Sequence, residues 1–558
     1  MQRWILLLNQ QFPVRYAAWL ACAMLFVWGG VRELQGRDGS WTLMLLGASL
    51  SLLGVRDMLQ SKRAILRNYP VIGHLRFLLE FIRPELRQYF IESDNEAAPF
   101  SRQQRSLVYQ RAKGDPDKRP FGTQLDVAQQ GYEWINHSLS PSRLASHDFR
   151  ITIGAERRRP YSASVFNISA MSFGSLSANA IKALNAGAKK GGFAHDTGEG
   201  SISEHHRVHG GDLIWEIGSG YFGCRDTEGR FSAEKFAANA ASEQVKLIEI
   251  KLSQGAKPGH GGVLPGAKVT TEIAAARGVA VGEDCNSPAA HSAFSTPREL
   301  MHFVARLREL SDDKPVGFKL CIGHPWEWFA ICKAMVETGI TPDFIVVDGA
   351  EGGTGAAPLE FTNHVGTPLQ EGLLLVHNTL TGLNLRDRVK IGCAGKVTSA
   401  FDISRAMALG ADWCNAARAF MFALGCVQAQ TCHTGHCPTG VTTQDPLRQR
   451  ALDPGDKAER VWRFHENTLY ALKELVEAAG LQHPNEISAS HIVRRVSHQE
   501  VRLLATILPF MAPGCLTEGQ LPHPVYQAYW HLASADSFAP QGALPVLLQG
   551  GRRTGDRQ

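Results

Sequence analysis

The sequence predicts an α/β protein: a (β/α)8 TIM barrel, preceded by an N-terminal helical hairpin and a helical region, and followed by a C-terminal helical extension. Two observations predict the barrel. From about residue 151, short β-rich runs alternate with helical stretches, the pattern of βαβ units around a parallel sheet. At least six such units fill nearly 300 residues, which suits a closed barrel, with a doubly wound sheet as the alternative. A third observation predicts the hairpin: residues 16–31 (YAAWLACAMLFVWGGV) and 41–55 (WTLMLLGASLSLLGV) carry no charge. The expected organisation is a hairpin over 1–65, a helical region over 66–150 and a barrel over 151–445. A helical extension over 446–534 and a loose, Gly/Pro/Gln/Arg-rich tail over 535–558 complete it.

The chain has 558 residues, 44% hydrophobic and 20% charged, enough for a large core. Its net charge of +5 is small, and no long Lys/Arg run occurs. That argues against nucleic acid as a partner. Eleven unevenly spaced cysteines argue against a disulfide framework and for a reducing compartment.

In the hairpin, Arg32, Glu33, Arg37 and Asp38 fall between the apolar runs with Gly36 and Gly39, which reads as a turn. Each run is slightly short for a bilayer span. A membrane hairpin, a buried helical hairpin and a cleaved signal peptide are the three readings. The first is favoured, because a second apolar run follows and no clean cleavage site does. Arg3 and Arg15 precede the hairpin; Arg56, Lys62, Arg63 and Arg67 follow it. That bias places both ends, and the catalytic part, in the cytoplasm at the inner membrane; a soluble cytoplasmic protein is the alternative. Helices are expected around 71–90 and 101–111, then an exposed loop at RAKGDPDKRPFG.

Within the barrel, Lys251 and Lys319 each end a strand-like run. A lysine there is costly unless it meets an anion or a polar ring. A flavin offers such a ring, since its N1/O2 edge becomes negative on reduction. The plain alternative is a lysine paired with a barrel carboxylate. EGGTGAAP brings backbone close to a ligand. Gly395-Lys396 and Ala416-Ala417-Arg418 occupy the last two βα loops, where this fold usually holds phosphate; plain tight turns are the alternative. Gly218-Ser219-Gly220-Tyr221-Phe222-Gly223 matches a dinucleotide fingerprint superficially and reads as a Gly-rich loop.

Cys426, Cys432 and Cys437 stand in CVQAQTCHTGHCPTGVTTQ, separated by five and four residues and followed by Pro438. Three clustered thiolates ending in Cys-Pro point to an iron–sulfur loop, and three ligands to a cluster one iron short of four. Zinc with His433 or His436 as fourth ligand is the second reading. Three unrelated core cysteines is the third.

Together these residues resemble the FMN-binding central region of glutamate synthase. The resemblance spans about residues 167–444. It rests on AMSFGSLS, the TGEG segment, QGAKPGHGGVLPGAKV, the GGTGA loop and the C-x5-C-x4-C-P run. In that family the cysteine spacing holds a three-iron four-sulfur (3Fe-4S) cluster. The resemblance implies that Met171 and Ser172 touch FMN, that Lys251 lies near its pyrimidine edge, and that Lys319, Gly352, Gly353 and Thr354 line the site. Gly395, Lys396, Ala416 and Arg418 complete the cofactor set. Glu199, Lys257 and Arg277 correspond to residues that bind 2-oxoglutarate. Arg277 offers a fork that matches a carboxylate. The plain alternatives are a solvated Lys257 and an Arg277 paired with a helix carboxylate.

The implied activity is glutamate synthase-like. Electrons enter through the cluster, and reduced FMN passes hydride to 2-iminoglutarate, formed from 2-oxoglutarate and ammonia, giving L-glutamate. A ferredoxin or reductase subunit is the expected donor. The alternatives are a synthase using another amine, as N-methylglutamate synthases do, and a membrane electron-relay flavoprotein. The chain also departs from the family. It opens Met1-Gln2-Arg3 rather than on a cysteine nucleophile, and neither a glutaminase, a glycine-patterned β-helix nor an NADPH-binding domain is legible. Val263 and Glu249 stand where synthases usually carry Gln, and His260 where they often carry Glu.

Overall fold

The structure, a computed structural model, describes residues 14–95 and 98–544. Met1, Gln2 and Arg3, and the part of the expected tail from 545 to 558, lie outside the described residues. The chain forms two compact units, Met1–Ala97 and Ala98–Gln558.

In the first unit α1 (Ala17–Leu34) and α2 (Ser40–Leu59) form the hairpin. Its turn uses Gly36 and Gly39 at φ 66° and 75°, a backbone conformation that a Cβ opposes. Small residues let the two helices approach closely. A Cβ on Gly47 would sit 2.5 Å from the Phe26 backbone nitrogen, and one on Gly29 would sit 2.8 Å from that of Met44. The Trp19 indole lies over Gly54 and donates to the Ser51 carbonyl at 3.0 Å. The outward faces are apolar, with Met24, Val27, Trp41, Leu45 and Leu52 more than half exposed. Both helices are long and apolar enough to cross a membrane, and few of their residues are buried. Twenty residues at about 1.5 Å each span about 30 Å, the hydrocarbon thickness of a bilayer. A short helix, α3 (Gly73–Leu86), follows.

The second unit opens with α4 (Arg102–Lys113), begun by a Ser101/Gln104 capping box and ended by Gly114 at φ 78°. The exposed loop expected after it is present, with the Phe121 side chain fully in solvent. Eight strands then build a closed barrel. In chain order they are β1 (Phe166–Ile168), β2 (His195–Asp196), β3 (Leu213–Ile217), β4 (Val245–Lys251), β5 (Val316–Leu320), β6 (Phe344–Asp348), β7 (Lys390–Ala394) and β8 (Trp413–Ala416). All neighbours are parallel, and β8 closes onto β1 with Cys414 opposite Phe166. The strands read as continuous apolar runs because both faces are covered, outside by helices and inside by packed side chains.

Several crossover helices carry their own start signal. For α5 (Ala178–Gly191) Ser177 Oγ accepts the Ala180 N–H at 3.2 Å. For α6 (Thr271–Arg277) Thr270 accepts from Ile273 at 3.3 Å, and Gly278 closes the helix at φ 67°. For α7 (Pro297–Leu310) Thr296 and Glu299 form a capping box with proline in the first turn. The long α8 (Pro454–Ala478) packs on α4 and α5. Gly187 of α5 has no room for a side chain there, since a Cβ would lie 2.5 Å from Val461 Cγ1. The start of the expected tail is anchored: Ala535 accepts the Arg298 N–H at 2.9 Å, and Asp536 pairs with Arg298 at 2.6 Å.

Candidate functional site

The carboxyl ends of the strands gather the chemistry, as this architecture dictates. Lys251 is the last residue of β4, and Lys319 sits beside it on β5 in direct register. Both lysines have carboxylate partners, as the plain alternative expects. Lys251 Nζ lies 3.2 Å from Glu199 Oε2. Lys319 Nζ is bonded to Glu216 and lies 3.6 Å from Glu249 Oε1. Lys319 is fully enclosed, and its amine is engaged by acids of β3 and β4.

Glu199 comes from the TGEG turn after β2. Glycines make its place: a Cβ on Gly218 would meet Glu199 Oε2 at 2.9 Å, and one on Gly262 would meet Oε1 at 2.7 Å. That is the role of the Gly-rich 218–223 loop, which follows β3 and forms no dinucleotide turn. Burial pushes the Glu199 carboxyl up, but Lys251 beside it, with Arg277 and Lys257 behind, holds it below the usual range. It is therefore ionised at neutral pH.

Lys257 and Arg277 depart from their plain alternatives. Lys257 is 8% exposed rather than solvated, and among the described residues its amine reaches only the Gly261 carbonyl at 3.3 Å. Burial lowers its affinity for a proton, partly offset by Glu199. Arg277, the last residue of α6, is 5% exposed. It donates to the Phe173 carbonyl at 3.2 Å, approaches Cys285 Sγ at 3.6 Å and lies 5.1 Å from the Phe222 ring centroid. Its buried Nε has no hydrogen-bond partner, and no carboxylate lies within 4.0 Å among the described residues. Three cations thus act on one carboxylate, in a place where water is scarce.

The flavin-side residues of the expected set lie on neighbouring loops. Met171 is buried after β1, and Ser172 Oγ donates to Ser175 at 3.1 Å. A Cβ on Gly198, at φ 64°, would meet Ser172 N at 2.7 Å. Gly352, Gly353 and Thr354 follow β6. Arg418, just after Ala416 of β8, donates to the Thr354 carbonyl at 2.7 Å, and a Cβ on Gly353 would touch Arg418 Nε at 3.2 Å. No carboxylate pairs with Arg418 within 4.0 Å among the described residues. Gly395 packs on Leu369, whereas Lys396 is exposed at φ 54°.

The three cysteines sit on the loop after β8. Tyr109 of α4 anchors it, donating to the Cys426 carbonyl at 2.6 Å. The Gln428 N–H points at Cys426 Sγ at 3.5 Å, and Thr439 Oγ1 lies 3.5 Å from Cys437 Sγ. Burial raises the Cys426 thiol to about 11, opposed by Gln428 and Arg418, while Cys432 and Cys437 push it further up. Cys437 is also buried, yet hydrogen bonds from Thr439 and Thr442 hold it below an ordinary thiol. Among the described residues the three sulfurs do not form a set within 4.8 Å of one another.

Several site residues escape a sequence reading. His291 lies in an irregular segment before α7. Its Nε2–H donates to the Lys251 carbonyl at 2.9 Å, and Nδ1 accepts from the Tyr221 hydroxyl at 3.0 Å, fixing the backbone that carries Lys251. Burial lowers the His291 pKa to about 4, so this bridge is neutral. His260 is exposed and stacks edge-on against Phe361. The Val263 side chain lies outside the described residues.

Deeper in the barrel, Asp196, Glu216 and Glu249 bring carboxylate oxygens within 4.8 Å of one another. Lys319 is their one close cation among the described residues. Both Glu249 oxygens and Asp196 Oδ2 have no hydrogen-bond partner. Such a surplus of buried negative charge is costly unless protons are retained. Burial, then Glu216, raises Asp196 to about 7; burial, then Asp196, raises Glu249 well above a carboxylate's range. The ordinary Asp value is 3.8, so the folded state holds this proton more tightly than the unfolded chain does. Its stabilising contribution is present below 3.8 and is lost as pH climbs through about 7. The urea midpoint is therefore expected to fall across that window. Glu249→Gln, which keeps the shape and removes one charge, is expected to raise the midpoint at neutral pH and flatten the profile.

Eight parallel strands with charged side chains converging at their carboxyl ends define a β/α-barrel enzyme. A family model described as a conserved region in glutamate synthase matches residues 138–482. The glutamate synthase large subunit-like protein YerD of Bacillus subtilis (strain 168) is 38% identical over 483 residues, covering 79% of this chain and 91% of that protein. An archaeal-type glutamate synthase (NADPH) of Thermotoga neapolitana is 36% identical over 313 residues, 56% of this chain and 58% of that protein. Among solved structures, a mandelate oxidase aligns with a TM-score of 0.39 at 14% identity, over 77% of this chain and 96% of that one. The chain belongs to the glutamate synthase family and is an oxidoreductase.

Proposed function

We propose that this chain is a membrane-tethered, FMN-dependent enzyme that reductively aminates 2-oxoglutarate to L-glutamate, with electrons entering through an iron–sulfur cluster. The observation that carries the substrate is the cation surplus. Lys251, Lys257 and Arg277 act together on Glu199, and of the three Lys251 also acts on the buried Asp348. Two of them, Lys257 and Arg277, are buried with no carboxylate within 4.0 Å among the described residues. A dicarboxylate completes that charge balance, and the free Nε of Arg277 marks where a carboxylate forks onto it.

The residues present fit FMN. Glycines at 352 and 353 keep the loop backbone free of side chains at the strand ends, Lys251 offers a cation there, and Arg418 and the exposed Lys396 offer phosphate two cations, Arg418 having no carboxylate within 4.0 Å among the described residues. When bound, FMN supplies the hydride chemistry. The chain supplies position and charge: Arg277 and Lys257 hold the substrate carboxylates, and ionised Glu199 accepts a hydrogen bond from the incoming nitrogen. His291 and Tyr221 keep Lys251 on station.

The cysteine loop fits a cluster better than zinc. A tetrahedral zinc with bonds of about 2.3 Å brings its sulfurs to about 3.8 Å apart, closer than a multi-iron cluster needs. N–H and O–H groups aimed at Cys426 and Cys437 are what a thiolate-bound cluster uses to set its potential. Arg418 acts on Cys426 and touches the Thr354 loop, so the cysteine loop and the flavin loops share one side chain. Two helices long and apolar enough to cross a bilayer, flanked by cations, support an inner-membrane location with those cations on the cytoplasmic side.

The test is anaerobic turnover of the purified chain with reduced ferredoxin, 2-oxoglutarate and either ammonia or methylamine. L-glutamate formation is expected. N-methylglutamate alone would move the amine, and a reduced-flavin spectrum indifferent to 2-oxoglutarate would make the chain an electron relay.

A further inference from the structure

The membrane hairpin ends on a feature that the catalytic reading leaves unused. Asp57, near the end of α2, is 2% exposed. It accepts the Val71 N–H at 3.0 Å and His74 Nε2–H at 2.9 Å. These bonds tie the first turn of α3 to the point where α2 finishes. Arg63 lies 4.7 Å from the Phe77 ring centroid and braces the same side. The helix is therefore seated at its first turns by His74 and Phe77, while Phe81 further along the same face is 79% exposed.

Its opposite face is apolar and uncovered. Leu75, Leu78, Leu79, Ile82 and Leu86 recur at helical spacing and share one stripe. Leu75, Leu78 and Leu79 are 53%, 54% and 50% exposed, and Phe90 beyond them is 82% exposed. Arg76, which pairs with Glu80 at 2.9 Å, borders the stripe on one side with Arg83 and Arg87, and Glu85 borders it on the other. Arg15, Arg56, Lys62, Arg63 and Arg67 lie at the same end of the hairpin. An apolar stripe edged on one side by arginines, with a net excess of cations around it, fixed where a spanning helix ends, has the chemistry of an interfacial helix.

Resting on the membrane reading above, we propose that α3 lies in the bilayer surface on the side where α1 begins and α2 ends, with its leucine stripe in the acyl boundary and its arginines on anionic lipid phosphates. The occupant of this face is lipid, not protein. Continuity with two apolar spans and the charge of the border select it. The consequence is a fixed collar that holds the hairpin's exit in register with the headgroups.

The full chain is placed in nanodiscs of phosphatidylcholine with or without phosphatidylglycerol, and in detergent, and amide exchange is followed peptide by peptide. The expected result is exchange across Gly73–Leu86 about tenfold slower in anionic nanodiscs than in phosphatidylcholine ones. A Leu78→Glu/Leu79→Glu chain, altered only at exposed positions, is expected to lose that difference while α1 and α2 stay protected. Equal exchange in both lipids, with α1 and α2 protected, overturns the interfacial role and leaves the hairpin standing. Release of the chain by alkaline carbonate, with α1 and α2 exchanging freely, overturns the membrane reading and this inference with it.

Discussion

Arg277→Ala is expected to lower kcat/KM for 2-oxoglutarate by about two to three orders of magnitude, the effect of about 3–4 kcal/mol of lost charge-assisted binding. Most of the loss should fall in KM, because a carboxylate that does not react is held equally in ground and transition states. Folding should suffer little. The guanidinium has no ion pair to break among the described residues, and its removal relieves the cost of a desolvated cation while giving up a contact with Phe222. Flavin content should stay at the wild-type level, and thermal stabilisation by 2-oxoglutarate should vanish. Arg277→Lys should recover only part of the loss, since a single ammonium lacks the fork. Loss of flavin together with activity would assign Arg277 a structural role instead.

The second large effect concerns electron entry. Cys432→Ser is expected to remove most iron and sulfide and to cut ferredoxin-driven turnover at least about a hundredfold, because an alcohol is a poor substitute for a thiolate ligand. Cys432 is only half-buried, on a short turn, so the barrel should keep its fold and its FMN. Flavin reduced by light should still yield product with 2-oxoglutarate and ammonia. That split separates the electron path from the substrate site. If photoreduced enzyme is equally dead, the cysteine loop shapes the substrate pocket rather than feeding it.

Much of this was legible in the chain because the physics is periodic or local. The barrel follows from runs such as VKLIEIK, PVGFKL and FIVVD, each too apolar for a one-sided sheet and each followed by a helical stretch. Lys251 and Lys319 stood out as charges within such runs. Asp196 and Glu216 did not, and Glu249 stood out only as a departure from the family's Gln, although Glu216 is a lone charge in an otherwise apolar strand. Their meaning is three-dimensional, since Glu216 and Glu249 become partners only when β3 lies beside β4. His291 and Tyr221 were hidden for another reason. They come from irregular segments with no period to read, and they meet through folding across 70 residues. The resemblance alone pointed to Lys257, since a Gly-rich loop equally allows a solvated surface lysine, yet the loop folds back and encloses it. The tail was misjudged in its first residues for want of any sequence sign of the Arg298–Asp536 pair.

The central claim is that a thiol-held inorganic centre and a flavin are built into one barrel mouth. Its most direct test is anaerobic purification of the full chain, followed by iron, sulfide, zinc and flavin analysis with low-temperature electron paramagnetic resonance. About three irons and about four sulfides per chain, one FMN, and a cluster signal that disappears when the flavin is loaded with electrons through it are expected. One tightly held zinc with no sulfide, or a stoichiometric cluster in a chain that binds no flavin, would contradict it.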